Sequence, residues 1–282
     1  MKSGPITIVS AFYNLLSPKY SIQHYKKWIK QFCKIPAHMI IFTTEEYAME
    51  IYHWRRTILE KTHVIIRDFN SFAMTCPSMM KFWSKQSELD KSNGTNSSPE
   101  LYAMWALKQE LLRIAIHQNI FQSKWFVWCD ISIQRFRSLE HFYMTFPYDV
   151  ERLCVPGRMA FLEVDKIPRK YVDDWNEDKP IDYPYPNVTL GSGCIAGDIE
   201  AWLEFGEAYK NMLQEFAIRG WFAGKETDVF FAILMEKKTK LPFRLFHAKQ
   251  FVNISGIEWL SFPVMLGGNI EAVVDMRFEP IS

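Results

Sequence analysis

Three runs of β-branched and aromatic residues alternate with segments of helical period over the first quarter of the chain. That alternation restricts the fold more than any other feature. Ile6-Thr7-Ile8-Val9-Ser10-Ala11-Phe12 reads as a first strand, and beyond Ser17-Pro18 the residues Ile22, Tyr25, Ile29 and Phe32 recur at helical spacing. His38-Met39-Ile40-Ile41-Phe42 reads as a second strand, Thr43 with Glu46 as a capping box opening the next helix, and Thr62-His63-Val64-Ile65-Ile66-Arg67 as a third strand. Strands separated by whole helices pair in parallel, with the helices on the sheet faces. The expectation is an α/β fold: a single domain over 1–282 with a Rossmann-type, mainly parallel central sheet flanked by helices.

The run Lys124-Trp125-Phe126-Val127-Trp128-Cys129-Asp130 sharpens this. Its apolar stretch has the length and aromatic content of a buried strand, and it stops at a carboxylate. In open α/β sheets the ligand crevice lies outside the carboxyl ends of the strands, so Asp130 stands where a bound group would be met. The competing reading is local: Asp often ends a strand by bonding to nearby backbone, here in the turn through Ile131-Ser132-Ile133.

Composition removes several classes. With 282 residues, 48% of them hydrophobic, the chain fills a sizeable core and is not a disordered segment. Lys+Arg at 33 against Asp+Glu at 32 leaves a formal net charge of +1, which lacks the broad positive field of a nucleic-acid binder but permits a local pocket for one small anion. Cys33, Cys76, Cys129, Cys154 and Cys194 stand singly, so the spacing suggests neither a zinc site nor a disulfide framework. No leader segment or membrane-length apolar span is read in the sequence, and a cytoplasmic protein is expected.

Further along, 84–98 is polar and reads as a loop, with the form of a flap over a site. Ser98-Pro99 then open a long helix carrying Leu101, Trp105, Leu111, Leu112 and Ile116. Residues 165–189 hold four prolines among aromatic residues and read as irregular. Gly191-Ser192-Gly193 reads as a turn ahead of a helix over about 199–218, and Gly220 to Gly224 as a turn ahead of a helix over 226–236.

Blocks spread over most of the chain, namely Thr7 to Asn14, Ser98 to Lys108, Trp125 to Asp130, Gly193 to Gly197 and Gly224 to Asp228, together resemble the HtrL/YibB-like family, which looks like a branch of the GT-A glycosyltransferases. Virus-encoded glycan-building enzymes are similar. The resemblance implies a nucleotide-sugar donor, with UDP by family habit and xylose ahead of glucose or galactose, and an oligosaccharide or glycan acceptor. A nucleotide-binding part over about 1–135 and an acceptor-binding part over about 136–282 follow from it. So does a divalent cation, Mn2+ or Mg2+, near Asp130, although the family's usual D-x-D pair is here Asp130-Ile131-Ser132.

On that footing Ser10, Ala11, Phe12 and Asn14, with Trp105, Lys108, Asp130 and Ser132, are the donor-binding candidates. Asp130 and His247 are the metal candidates, a cation offering charge stabilisation to the leaving diphosphate. Lys108 departs from the apolar face of its helix, so it either contacts phosphate or is a solvated lysine. Asp228, with Glu226 beside it, is the candidate general base for an inverting transfer, against a purely helix-dipole function for both acids. Gly191, Ser192 and Gly193 permit close backbone approach, and Trp175 and Trp221 are candidate acceptor platforms. A lone His among apolar neighbours is also an ordinary core residue, and the missing second acid allows a catalytically silent carbohydrate- or nucleotide-binding protein.

Overall fold

The computed structural model describes residues 5–15, 20–90, 98–133, 144–176, 190–236, 242–248, 259, 261–268 and 274–276. Strand β1 (Ile6–Phe12), helix α1 (Ile22–Phe32), strand β2 (His38–Thr43), helix α2 (Glu45–Trp54) and strand β3 (Thr62–Ile66) follow the alternation read in the sequence. They are succeeded by α3 (Pro77–Leu89), α4 (Pro99–Gln118), β4 (Trp125–Cys129), the short α5 (Val150–Leu153), β5 (Met159–Glu163) and α6 (Arg169–Asn176). The chain then forms β6 (Leu190–Asp198), α7 (Ile199–Arg219), α8 (Glu226–Met235), β7 (Phe243–Ala248), α9 (Ser261–Leu266) and β8 (Val274–Met276).

The described strands make one eight-stranded sheet in the order β3-β2-β1-β4-β6-β5-β7-β8. Pairs β1–β2, β2–β3, β1–β4 and β5–β7 are parallel, whereas β6 runs antiparallel to both β4 and β5, and β8 to β7. From β1 the chain steps outward to β2 and β3, then returns to place β4 on the other side of β1. In open α/β sheets such a reversal of strand order is where ligand crevices lie, which here is at the carboxyl ends of β1 and β4.

Strand alternation sends successive side chains to opposite faces and thereby builds two cores. Val9, Ala11, Phe126, Trp128 and Ile195 pack with residues of α4, α7 and α8, while Ile8, Phe12, Val127, Cys129 and Ala196 pack with α1, α2 and α9. Burying each large side chain among these contributes about 1.5–3 kcal/mol.

The structure corrects four local expectations. Residues 84–89 belong to α3, since Trp83 and Gln86 face the interior and carry the helix through the polar stretch; 91–97 lie outside the described residues. Within 165–189, Arg169–Asn176 is helical, and 177–189 lie outside the described residues. Thr43 is not a cap: it ends β2 and its hydroxyl donates to the Phe12 carbonyl at 2.8 Å, while Thr44 holds the N-cap position of α2. Gly191, Ser192 and Gly193 are strand rather than turn, because β4 and β5 satisfy the backbone of β6 on both sides.

Candidate functional site

Asp130 is the first residue beyond β4. Its backbone N–H donates to the Gly193 carbonyl at 2.8 Å, extending the β4–β6 ladder by one step, and its carbonyl accepts from Ile133 N–H at 2.9 Å. Buried Ile131 and Ile133 anchor that turn. The turn reading is therefore satisfied by the backbone, and the side chain is left partly exposed. Trp128 lies two residues earlier on the same strand face, which lets its indole Nε1 donate to Asp130 Oδ1 at 2.7 Å.

Lys108 supplies the second contact to that oxygen. Its Nζ lies 3.2 Å from Asp130 Oδ1, 2.9 Å from Glu226 Oε1 and 3.0 Å from the Ser192 carbonyl oxygen, so three ammonium protons meet three acceptors. The Trp128 ring centroid is 5.6 Å away. The Lys108 side chain is 2% exposed and that of Glu226 4%, whereas Asp130 is 34% exposed and is the acid of the three that reaches the surface. Burial pulls Lys108 down, but the carboxylates of Asp130 and Glu226 outweigh it and hold the ammonium above its ordinary value. Lys108 is thus no solvated helix lysine, and its charge is turned inward.

Glu226 and Asp228 open α8 but diverge by about 200° around the helix axis. Glu226 enters the buried cluster; Asp228 is half-buried, with its N–H bonded to the Lys225 carbonyl at 3.0 Å. Tyr209 of α7 is nearby: burial pushes its hydroxyl well above the usual range and the Glu226 carboxylate adds to this. That hydroxyl is buried with no hydrogen-bond partner among the described residues.

The first-strand candidates separate. Ser10, Ala11 and Phe12 are buried within β1, and the Ser10 hydroxyl donates to the Cys129 carbonyl, bracing β1 against β4 beneath the crevice. Asn14 is exposed beyond the strand end. Sequence reasoning missed two groups here, the Tyr13 hydroxyl and Thr44 Oγ1, both buried and without a hydrogen-bond partner among the described residues. They follow the paired residues Phe12 and Thr43 at the carboxyl ends of β1 and β2. Burial pushes the Tyr13 hydroxyl up, with Arg67 pulling against it. The Arg67 guanidinium lies 4.3 Å from the Phe72 ring centroid and bonds Ser71.

Other candidates stand apart. Trp105 is half-buried, its ring 6.0 Å from that of Tyr102. Trp221 packs edge-on to Phe216 at 5.4 Å with the Arg219 guanidinium over its ring at 4.7 Å, so it is not an open platform. Trp175 is on α6, not in a loop, and its side chain lies outside the described residues. His247 is within β7, its backbone opposite Glu163, and its side chain too lies outside the described residues. Three inter-strand steps, about 14 Å, separate that backbone from β4. His247 is not brought to Asp130 by the sheet. Ser132 is half-buried in the turn two residues after Asp130.

Among the described residues no group of three His, Cys, Asp or Glu side chains is placed to hold a metal ion. What the site offers instead is one partly exposed carboxylate, that of Asp130. Asp130 Oδ1 is engaged by Trp128 and Lys108, and a Cβ added at Gly193 would lie 3.5 Å from Asp130 Oδ2, in space the glycine leaves clear. One Lys against two carboxylates also leaves a net charge of −1 on the cluster. A divalent cation there would have Asp130 as its one protein ligand among the described residues and would take the others from a diphosphate and water.

No family model matches the chain. No curated protein matches it. Among solved structures it is similar to mouse xyloside xylosyltransferase 1 in its apo form, at 13% identity and a TM-score of 0.41 over 86% of this chain and 84% of that one. A likeness at that score lends no weight to an activity. No helix among the described residues is long and apolar enough to cross a membrane.

Proposed function

We propose that the protein is a glycosyltransferase that takes a sugar from a nucleotide-diphosphate donor, UDP-linked, and passes it to a carbohydrate acceptor with inversion. The observation that carries this reading is the partly exposed Asp130 carboxylate at the strand-order reversal, backed by a buried ammonium. The nucleoside would lie at the carboxyl ends of β1 and β2, where Asn14 is exposed and the unpartnered hydroxyls of Tyr13 and Thr44 can take up polar groups. The diphosphate would follow toward β4.

A divalent cation, held by Asp130 when bound, would supply positive charge to the departing diphosphate. The chain's own residues then have separate tasks. Asp130 orients the donor through Oδ2. Gly193 leaves room beside that oxygen. Asp228, half-buried at the start of α8, takes the proton of the acceptor hydroxyl at its carboxylate.

The test is calorimetric titration of UDP with Mn2+ or with EDTA, followed by a donor screen begun with UDP-xylose. Mn2+ should tighten UDP binding, Asp130→Ala should remove that gain while the protein stays folded, and one nucleotide sugar should be consumed. Sugar binding with no response to UDP or Mn2+ would instead establish a silent carbohydrate-binding protein.

A further inference from the structure

The two oxygens of Asp130 are treated differently by their surroundings. Oδ1 accepts from the Trp128 indole at 2.7 Å and is the oxygen nearest Lys108 Nζ, at 3.2 Å; Oδ2 is the oxygen on the Gly193 side, 3.5 Å from where a Cβ there would sit. An indole N–H is a donor only, and an ammonium likewise, so both can act on this carboxylate solely by holding an oxygen. Lys108 is itself fixed from behind by Glu226 at 2.9 Å and the Ser192 carbonyl oxygen at 3.0 Å.

We infer that Trp128, Lys108 and Glu226 form a buried positioning cradle that locks Asp130 with one oxygen turned to the crevice. Within it Glu226 is the counter-charge of Lys108, not the acceptor of a substrate proton. The cradle deepens the donor-site reading and rests on it. The physical grounds are burial and connectivity. A general base must come within hydrogen-bond reach of the hydroxyl it deprotonates, and the Glu226 side chain is 4% exposed with Oε1 bonded to Lys108. Without Glu226, the buried ammonium would have Asp130 as its single carboxylate partner and would be pulled toward it. Without Lys108, two carboxylates would face one another across the vacated space. In either case the carboxylate that meets the ligand loses its fixed direction, and a site held loosely by about 1 Å performs poorly.

Trp128, Lys108 and Glu226 are therefore positioning residues, and their signature is the size of the Mn2+ effect on UDP binding rather than binding as such. The experiment measures the UDP dissociation constant of the full chain by calorimetry, once in EDTA and once with Mn2+, and takes the ratio. Trp128→Phe keeps an aromatic ring in the core while removing the N–H together with part of the indole's bulk. The double variant K108M/E226Q removes both buried charges, so it folds without an unpaired one. Both should lose about tenfold or more of the Mn2+ enhancement while their affinity in EDTA stays near wild type, and E226Q alone should lose part of it. Equal losses in EDTA and in Mn2+ would mean a merely structural function and overturn the inference. So would an intact Mn2+ ratio, or E226Q that keeps the full ratio yet loses sugar transfer. A wild-type protein that binds no UDP, or binds it with no Mn2+ effect, is recognised before any variant is compared and overturns the donor-site reading and the cradle together.

Discussion

Lys108 illustrates how little one residue's chemistry is decided by its neighbours in sequence. Its hydrogen-bond acceptors lie 84 and 118 positions away along the chain, at Ser192 and Glu226, and Asp130 lies ahead of both. Nothing in the helix it belongs to announces those partners, so the sequence showed only that it leaves the apolar face. Asp130 was legible because a run of buried residues ended on it. Glu226 and Asp228 were legible as a pair, but the turn of the helix that sorts them was not. Asp228→Asn should preserve UDP binding with Mn2+ and cost about 10²-fold in transfer, since the amide cannot accept a proton; steady-state kinetics with the identified donor checks it. Cysteine reactivity should also divide by residue. The thiol of Cys76 is held below its ordinary value chiefly by the Ser78 hydroxyl and the Met79 N–H, while burial pushes Cys33 and Cys154 up to about 12. Iodoacetamide at pH 8 should label Cys76 first, because the thiolate is the nucleophile, and peptide mass spectrometry will show whether another cysteine precedes it.

Elements reveal a different limit. Strands β1 to β4 were plain in the sequence because parallel strands buried on both faces read as continuous apolar runs, as Ile6 to Phe12 and Trp125 to Cys129 do. Strand β6 was not, because Gly191-Ser192-Gly193 carries neither β-branched residues nor alternation, and its state is settled by the strands on either side. Helix α6 was hidden by the prolines around it. The connection between α2 and β3 shows how a single side chain can organise an element. Arg55 is fully buried and donates to the carbonyls of Cys33, Ile35, Ala37 and Lys61 and to the Thr62 hydroxyl. Arg55→Met would strand several buried carbonyls and should lower unfolding free energy by about 3 kcal/mol or more in urea titrations. At the other end of the fold, Gly220 ends α7 with φ 66°. Gly220→Ala should cost about 1 kcal/mol for that left-handed backbone, read from the same titration.

For the molecule as a whole, the buried thiols, phenols and Lys108 shift one way, upward, whereas burial holds Arg55 down to about 10. Cys33, Cys154 and Cys194 are raised from 9.0, Tyr13 and Tyr209 from 10.0, and Lys108 from 10.5. A group raised in the folded state keeps its proton while the unfolded chain releases it, so its contribution is complete below the unfolded value and fades as pH climbs through the folded one. Stability should therefore be flat toward neutral pH with respect to these groups and fall from about pH 9 upward, as thermal melts across pH 7 to 11 will test. The α/β class followed from the spacing of strands and helices; the strand order and the antiparallel insertion of β6 did not, since they depend on contacts across the whole chain. One consequence concerns biosynthesis. The cluster around Asp130 draws on residues 108, 130, 192 and 226, so a polypeptide emerging from the ribosome cannot aim that acid until Glu226 has been made and folded. The bracing of Asp130 thereby serves as a certificate of complete folding, which a truncated or half-assembled copy lacks.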